Sequence, residues 1–290
     1  MSERYQRIQA MENDHPLTEL CAAFAVSRSG YYAWRQREPS TRAQANARLV
    51  EEMQRLRQGP EVCYGSPRMT EELQAQGHAC SENRVARLMR AHDLRAQAAP
   101  RWRPCTTDSK HDHPIAPNRL AERAAPGGPN QVWVQDLTYV RTGQGWLYLA
   151  LVMDLWSRKI VGWAMADHLR SALVVAALQM ARTQRQPGKG LLIHSDRGVQ
   201  YASQETRALL AAHGWEASMS RAGNPYDNAA MESVIGKLKS EILGANVPAD
   251  HAAARAQLFA GLECWYNQRR RHSALGYKSP VAFEAQFMNN

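Results

Sequence analysis

Three acidic residues stand in settings where a carboxylate is costly or well placed for chemistry. Asp136 lies in the run Gln131-Val132-Trp133-Val134-Gln135-Asp136-Leu137-Thr138-Tyr139-Val140, with Val134 and Leu137 as apolar neighbours. A charged group there costs free energy unless something pairs with it. Asp196 closely follows the apolar stretch Leu191-Leu192-Ile193-His194, and the C-terminal ends of strands in α/β sheets are where ligand-binding groups collect. Glu232 falls in the first turns of a helix that begins at Asn228, and 232 − 196 = 36 positions separate it from Asp196. Taken singly, each is an ordinary surface or capping acid. Brought to one point, the three would repel one another, and divalent cations are the usual remedy. An oxygen-only set without His/Cys spacing suits Mg²⁺ or Mn²⁺ rather than Zn²⁺. Two such ions can activate an attacking hydroxyl and stabilise a leaving oxygen in phosphoryl transfer.

The elements that must position these acids show in the hydrophobic period. Gln131–Val140 alternates apolar and polar residues, Gly143-Gln144-Gly145 supplies a turn, and Trp146–Leu155 is a nearly continuous apolar run. A third strand is expected at Ile160–Ala166, a helix at Ser171–Arg182, a short buried strand at Leu191–His194, and a helix at Ser203–His213 closed by Gly214. Trp215–Met219 is a fifth strand, Ser220–Asp227 a Gly/Pro/Asn loop, and Asn228 caps a helix reaching about Leu243. The order βββ-α-β-α-β-α predicts an α/β domain with a ribonuclease-H-like mixed five-stranded sheet and flanking helices.

An all-α helix-turn-helix region is expected before it. Pro16–Phe24 and the segment opening at Ser27-Arg28-Ser29-Gly30 form a helix, a turn and a second helix, which would bring Arg28 to DNA. A second helical pair runs from Tyr64-Gly65-Ser66-Pro67-Arg68 past Gly77 to a helix capped by Ser81, on which Arg84, Arg87 and Arg90 recur every three residues. A solvated arginine face without a ligand is the plain alternative. The expected division is 1–60 and 61–99 for the two helical units, 100–128 for a linker, 129–245 for the catalytic core and 246–290 for a basic helical extension. Residues 100–130 hold six of the 14 prolines together with Arg101, Arg103, Lys110, Arg119 and Arg123, a composition for an extended basic connection.

Charge points the same way. The chain has 290 residues, with 36 Lys+Arg against 27 Asp+Glu, a formal net charge of +9. Residues 1–120 hold 18 basic and 14 acidic residues and 121–290 hold 18 and 13, so both halves are basic. A polyanion such as nucleic acid is the indicated partner. Charges at the start argue against a signal peptide, and no apolar run is long enough for a bilayer span. Five scattered cysteines without Cys-x-x-Cys indicate neither a disulfide framework nor a zinc site, consistent with a cytosolic location. His111-Asp112-His113, in the proline-rich segment with no third ligand nearby, is a superficial metal pair, and no G-x-x-x-x-G-K-[ST] phosphate loop is present.

Ordered motifs extend these readings. Trp133-Val134-Gln135-Asp136-Leu137-Thr138-Tyr139, His194-Ser195-Asp196-Arg197-Gly198-Val199-Gln200-Tyr201 and Gly223-Asn224-Pro225-Tyr226-Asp227-Asn228-Ala229-Ala230-Met231-Glu232-Ser233 are followed by Leu238-Lys239-Ser240-Glu241, Tyr266-Asn267-Gln268-Arg269-Arg270-Arg271-His272 and Leu275-Gly276-Tyr277-Lys278-Ser279-Pro280. With these the chain resembles the DDE (Asp-Asp-Glu) transposases and retroviral-type integrases, specifically the second-frame transposases of the insertion-sequence-three family, over nearly its whole length. Gln135 departs from the family, which more often has Thr there; it would face the other side of the strand from Asp136.

The resemblance implies that Asp136, Asp196 and Glu232 are catalytic metal ligands for two Mg²⁺ or Mn²⁺ ions. It also implies double-stranded DNA partners (terminal inverted repeats and target), a homo-oligomer on DNA, an upstream-frame partner or fusion, and a bacterial, nucleoid-associated location. A copy-out route through a circular intermediate is the implied pathway. Lys239, two helical turns after Glu232, would hold a phosphate. Arg269, Arg270, Arg271 and His272, behind Trp265 and Tyr266, would contact phosphates. His194 and Asn228 would support the site, His194 as a structural strand-end residue or a hydrogen-bond partner. A regulatory DNA-binding protein and a plain nuclease of the same fold are the competing readings.

Overall fold

A computed structural model describes residues 2–97, 112–221, 225–244 and 246–288. The chain forms two compact units, 1–52 and 53–290. His111, Gly223, Asn224 and most of the proline-rich connection (98–111) lie outside the described residues.

The first unit contains α1 (Ser2–Met11), α2 (Leu17–Ala23), α3 (Arg28–Arg35) and the start of α4 (Thr41–Leu56). Tyr5, Ile8, Leu20, Cys21 and Tyr31 bury one small core. The Ser27 hydroxyl accepts from Gly30 N at 3.1 Å and starts α3, leaving Arg28 exposed in its first turn.

In the second unit, α5 (Ser66–Ala75) begins with Pro67, whose fixed φ suits a first helical turn, and α6 (Glu82–Ala91) is capped by Ser81. Gly77 takes φ +87° between them, a conformation that excludes most side chains. Val85, Leu88 and Met89 bury one side of α6; Arg87 and Arg90 are exposed on the other, while Arg84 folds back to Ala79 O at 3.5 Å.

The sheet has the order β3-β2-β1-β4-β5, built from β1 (Val132–Thr142), β2 (Gly145–Asp154), β3 (Ile160–Ala166), β4 (Leu192–Ser195) and β5 (Glu216–Met219). The first three form an antiparallel meander, and β4 and β5 run parallel to β1. Leu147 and positions 149–154 of β2 are buried and Tyr148 is half-buried, as the continuous apolar run requires of a strand covered on both faces over most of its length. Helices α7 (Ser171–Arg185), α8 (Val199–Ala202) and α9 (Gln204–His213) belong to the connections between strands. Trp133, Val152, Val161, Leu173, Ala177, Ile193 and Trp215 share one core there. Gly162 lets α7 approach closely: a Cβ on it would lie 2.3 Å from Ala177 O. This is a ribonuclease-H-like sheet with an all-α region before it.

Beyond β5, α10 (Ala229–Leu238) continues as a π-helical turn over Lys239–Leu243, and α11 (His251–Phe259) as another over Ala260–Tyr266. The last helix, α12 (Pro280–Met288), is tied to the sheet unit by Glu284, which accepts from Arg185 at 2.7 and 2.8 Å. Asn267 brackets Ile160, accepting from its N–H at 2.9 Å and donating to its carbonyl at 2.9 Å. The segment after 246 is therefore part of the sheet's compact unit. Among the described residues, no helix is long and apolar enough to cross a membrane.

Candidate active site

Strand register brings two of the acids together. Val134 of β1 pairs with His194 of β4 in parallel register, so Asp136 and Asp196, each two residues further, stand abreast where β4 has ended and β1 continues. Neighbouring strands are about 4.8 Å apart. Both aspartates line one pocket with Tyr139, Leu169, Gln200 and Tyr201. The N–H of Leu137 donates to Asp136 Oδ1 at 2.8 Å, and the N–H of Gly198 donates to Asp196 Oδ1 at 2.9 Å, which fixes both carboxylates.

Asp136 is half-buried. Burial and then the charge of Asp196 push its pKa up to about 8; the Leu137 N–H opposes them, and the charge of Glu232 adds a smaller push that Lys239 opposes in turn. Glu232 is exposed in the first turn of α10. Its charge reaches Asp136, but among the described residues no three His, Cys, Asp or Glu side chains form a closed metal-ligand group. The donor set nevertheless fits a hard divalent cation: oxygen donors only, with uncompensated repulsion concentrated on Asp136. A further polar atom faces the pair. Tyr201 is 3% exposed, its hydroxyl has no hydrogen-bond partner among the described residues, and burial together with Asp136 and Asp196 raises its pKa well above 10.

Lys239 follows Glu232 by two turns, and its ammonium sits 5.0 Å from the centroid of the Tyr139 ring, at the pocket rim. Burial lowers its pKa while Asp136 opposes that shift. His194 is fully buried, with Nδ1 2.9 Å from Ser218 Oγ and Nε2 3.1 Å from Ser220 Oγ. Burial drives its pKa down to about 4, so it is neutral at physiological pH and ties β4 to β5. Of its two expected roles, the structural one is what the geometry provides.

Asn228 differs from expectation. It precedes α10 but its side chain makes no cap hydrogen bond; Nδ2 instead donates to Gln135 O at 3.3 Å. The start of the Glu232 helix is thus tied to the strand that carries Asp136. Asp227, which sequence reasoning passed over, takes three hydrogen bonds from Arg221 at 2.8–3.1 Å and is held down to about 2 by them. That pair closes the loop ahead of α10.

The basic stretch 269–272 is corrected most. Arg270 is 1% exposed and grips Glu241 through Nε at 2.5 Å and Nη2 at 2.8 Å, with the Trp265 and Tyr266 rings beside its guanidinium. Arg271 donates to Glu72 at 2.9 Å and its N–H to Tyr64 OH at 3.0 Å. Arg269 donates to Glu61 at 2.8 Å while keeping a partly exposed side chain. His272 is 8% exposed, and burial, then Arg270, lower its pKa to about 3. Acids supplied by the helical segment and by the end of the α10 helix draw these side chains inward, so Arg270 and His272 are buried and Arg271 is half-buried rather than forming the exposed face expected of them.

A ribonuclease-H-like sheet carrying adjacent aspartates at the β1/β4 divergence defines the class of integrase-core proteins. Residues 126–225 match the integrase core domain family, 213–280 a second integrase core domain family, and 44–102 an HTH-like domain family. The chain is 43% identical over 268 residues to an insertion element IS600 uncharacterized 31 kDa protein of Shigella sonnei, covering 92% of this chain and 98% of that protein. It is 38% identical over 283 residues to transposase InsF for insertion sequence IS3A of Escherichia coli strain K12, covering 97% and 98%. A simian T-cell lymphotropic virus intasome structure, in complex with PP2A regulatory subunit B56 gamma, aligns at TM-score 0.46 and 18% identity over 76% of this chain and 70% of that one. The chain belongs to the InsF-type transposases of IS3-family insertion sequences.

Proposed function

We propose that this transposase binds the ends of its element, cleaves one strand to leave a 3′-hydroxyl, and joins that hydroxyl to a phosphodiester of target DNA. The observation that carries the reading is the pair Asp136/Asp196, abreast in one pocket with Asp136 raised to about 8. Asp136 and Asp196, with Glu232 as third ligand, would hold Mg²⁺ or Mn²⁺, two ions per site. The bound cations would supply charge to activate the attacking oxygen and stabilise the leaving one.

The other residues bind and orient. The Asn228–Gln135 hydrogen bond keeps Glu232 beside β1, and neutral His194 holds the strand behind Asp196 without adding charge to the site. Lys239 at the rim would hold a phosphate next to the acids. Arg28, Arg87 and Arg90 are exposed cations for the DNA backbone, whose neutralisation makes binding salt-dependent. Residues 1–60 and 61–99 would recognise the ends and 129–245 would perform the reaction. Juxtaposing two ends calls for at least two protomers, and an upstream-frame partner would add end recognition.

The test is a joining assay with labelled terminal repeat and plasmid target in Mg²⁺. Joined product is expected; cleavage with no joined product favours a plain nuclease, and binding with neither favours a regulator. Lys239→Ala is expected to lower joining about tenfold, less than loss of an acid, because it positions the substrate. Unchanged joining in single-turnover kinetics would remove Lys239 from the site.

A further inference from the structure

Next to the carboxylate pocket lies an aromatic step that the strand-transfer reading leaves without a role. Trp146, at the start of β2, is 42% exposed. Its ring meets the Tyr139 ring edge-on, with centroids 4.8 Å apart at 80°. Tyr148 adds a third ring, 6.4 Å from Tyr139. In the β1–β2 register Tyr139 pairs with Tyr148 and Arg141 with Trp146. Directly paired residues project from the same face of a sheet, so all four side chains share one side.

The inner end of this step is the pocket itself, because Tyr139 lines it together with Asp136 and Asp196. Tyr139 is three positions along the strand from Asp136, about 10 Å at the usual rise, an odd spacing that turns the two side chains to opposite faces of β1; both reach the pocket where β4 has ended and β1 continues. The outer end is the exposed indole. Cations flank both ends: the Lys239 ammonium lies over the Tyr139 ring at 5.0 Å, and exposed Arg141 is opposite Trp146.

A purely apolar partner has no use for those cations, whereas a nucleobase carries a phosphate on each side. Every base has a π-face, and aromatic rings hold bases with little regard to sequence. The ring faces become available only to a base that has left its pair, and unpairing costs least at a duplex end.

We propose that Trp146 and Tyr139 form a stacking subsite for an unpaired nucleobase of the DNA beside the reacting phosphate, with Lys239 and Arg141 on the flanking phosphates. The proposal rests on the strand-transfer reading for the nature of the DNA. The subsite would hold the frayed end open, so that its backbone can reach the pocket lined by Asp136 and Asp196.

The experiment compares two labelled duplexes of the element's terminal repeat, one fully paired and one mismatched at its last two positions, with Ca²⁺ in place of Mg²⁺. Wild-type protein is expected to bind the mismatched end more tightly. Trp146→Ala is expected to lose about tenfold of that preference and Trp146→Phe to retain most of it. Thermal melting of each variant checks that the exposed substitution leaves the fold intact. In parallel, 5-iodouracil at the mismatched position should crosslink under light to a peptide containing Trp146 or Tyr139. Equal binding of the two duplexes by wild-type protein, an unchanged preference in Trp146→Ala, or crosslinks mapping elsewhere would overturn the subsite. Cleavage of the same duplexes in Mg²⁺ is scored separately: normal cleavage with no Trp146 effect sinks only the stacking subsite, and absent cleavage sinks only the strand-transfer reading.

Discussion

Replacing Asp136 with asparagine is expected to abolish joining while making the metal-free protein more stable. Loss of a charged ligand should lower cleavage and joining about a thousandfold or more, with DNA binding largely intact. The same is expected of Asp196→Asn and Glu232→Gln. The stability effect follows from proton linkage. The carboxyl of Asp136 titrates near 3.8 when unfolded and about 8 when folded, so between these values the folded protein binds the proton more tightly. Stability of the metal-free protein therefore falls as pH rises through this window and stays low above it. Because the group is half-exposed, solvent screening cuts the cost to about 2 kcal/mol at pH 8. Asparagine removes that cost, and it also removes a ligand, so Mg²⁺ should raise the melting temperature of the wild type much more than that of the variant. Melting curves at pH 5 and pH 8, with Mg²⁺ and with chelator, measure both effects. A variant no more stable than wild type at pH 8 in chelator, or one equally stabilised by Mg²⁺, contradicts the assignment.

Breaking the buried Arg270–Glu241 pair is expected to cost about 3 kcal/mol, because the remaining carboxylate stays buried with only the longer Arg68 contact to compensate it. Glu241 is 6% exposed at its side chain and also receives Arg68 at 3.4 Å. The cluster joins α5, the π-helical end of the Glu232 helix and the segment after Tyr266, so Arg270→Ala should lower the denaturant midpoint strongly. Arg270→Lys should recover only part of the loss, since an ammonium cannot reproduce the two-pronged grip. Arg87→Ala with Arg90→Ala should do the opposite, leaving stability near normal and weakening DNA binding with a shallower salt dependence. A midpoint for Arg270→Ala within about 1 kcal/mol of wild type in free energy, together with a DNA-binding defect, would return Arg270 to the DNA.

What the sequence disclosed, and what it hid, follow from the range of the interactions. The five strands were legible because alternation and apolar runs are local, and β3 falls at Ile160–Ala166 as its pattern indicates. The single turn Val199–Ala202 was not, since four residues carry too short a period. The aspartate pair was legible as two acids in strand settings, but the Val134–His194 register that sets them abreast is a tertiary fact. Asn228 before a helix has the sequence signature of a cap, and only the folded chain offers it the Gln135 carbonyl instead. The arginine strip misled because its acceptors Glu61 and Glu72 are some 200 positions away. Local composition shows a basic stretch; it cannot show that the stretch is already neutralised.

The most direct measurement of the central claim is joining of a pre-cleaved terminal repeat, bearing a free 3′-hydroxyl, to plasmid DNA under single-turnover conditions. Wild-type protein in Mg²⁺ should give joined product that disappears with chelator and returns when Mg²⁺ or Mn²⁺ is restored, and Asp136→Asn should give none in any of these. Joining that survives chelation, or that Asp136→Asn carries out at near wild-type rate, would contradict a metal site built on Asp136, Asp196 and Glu232.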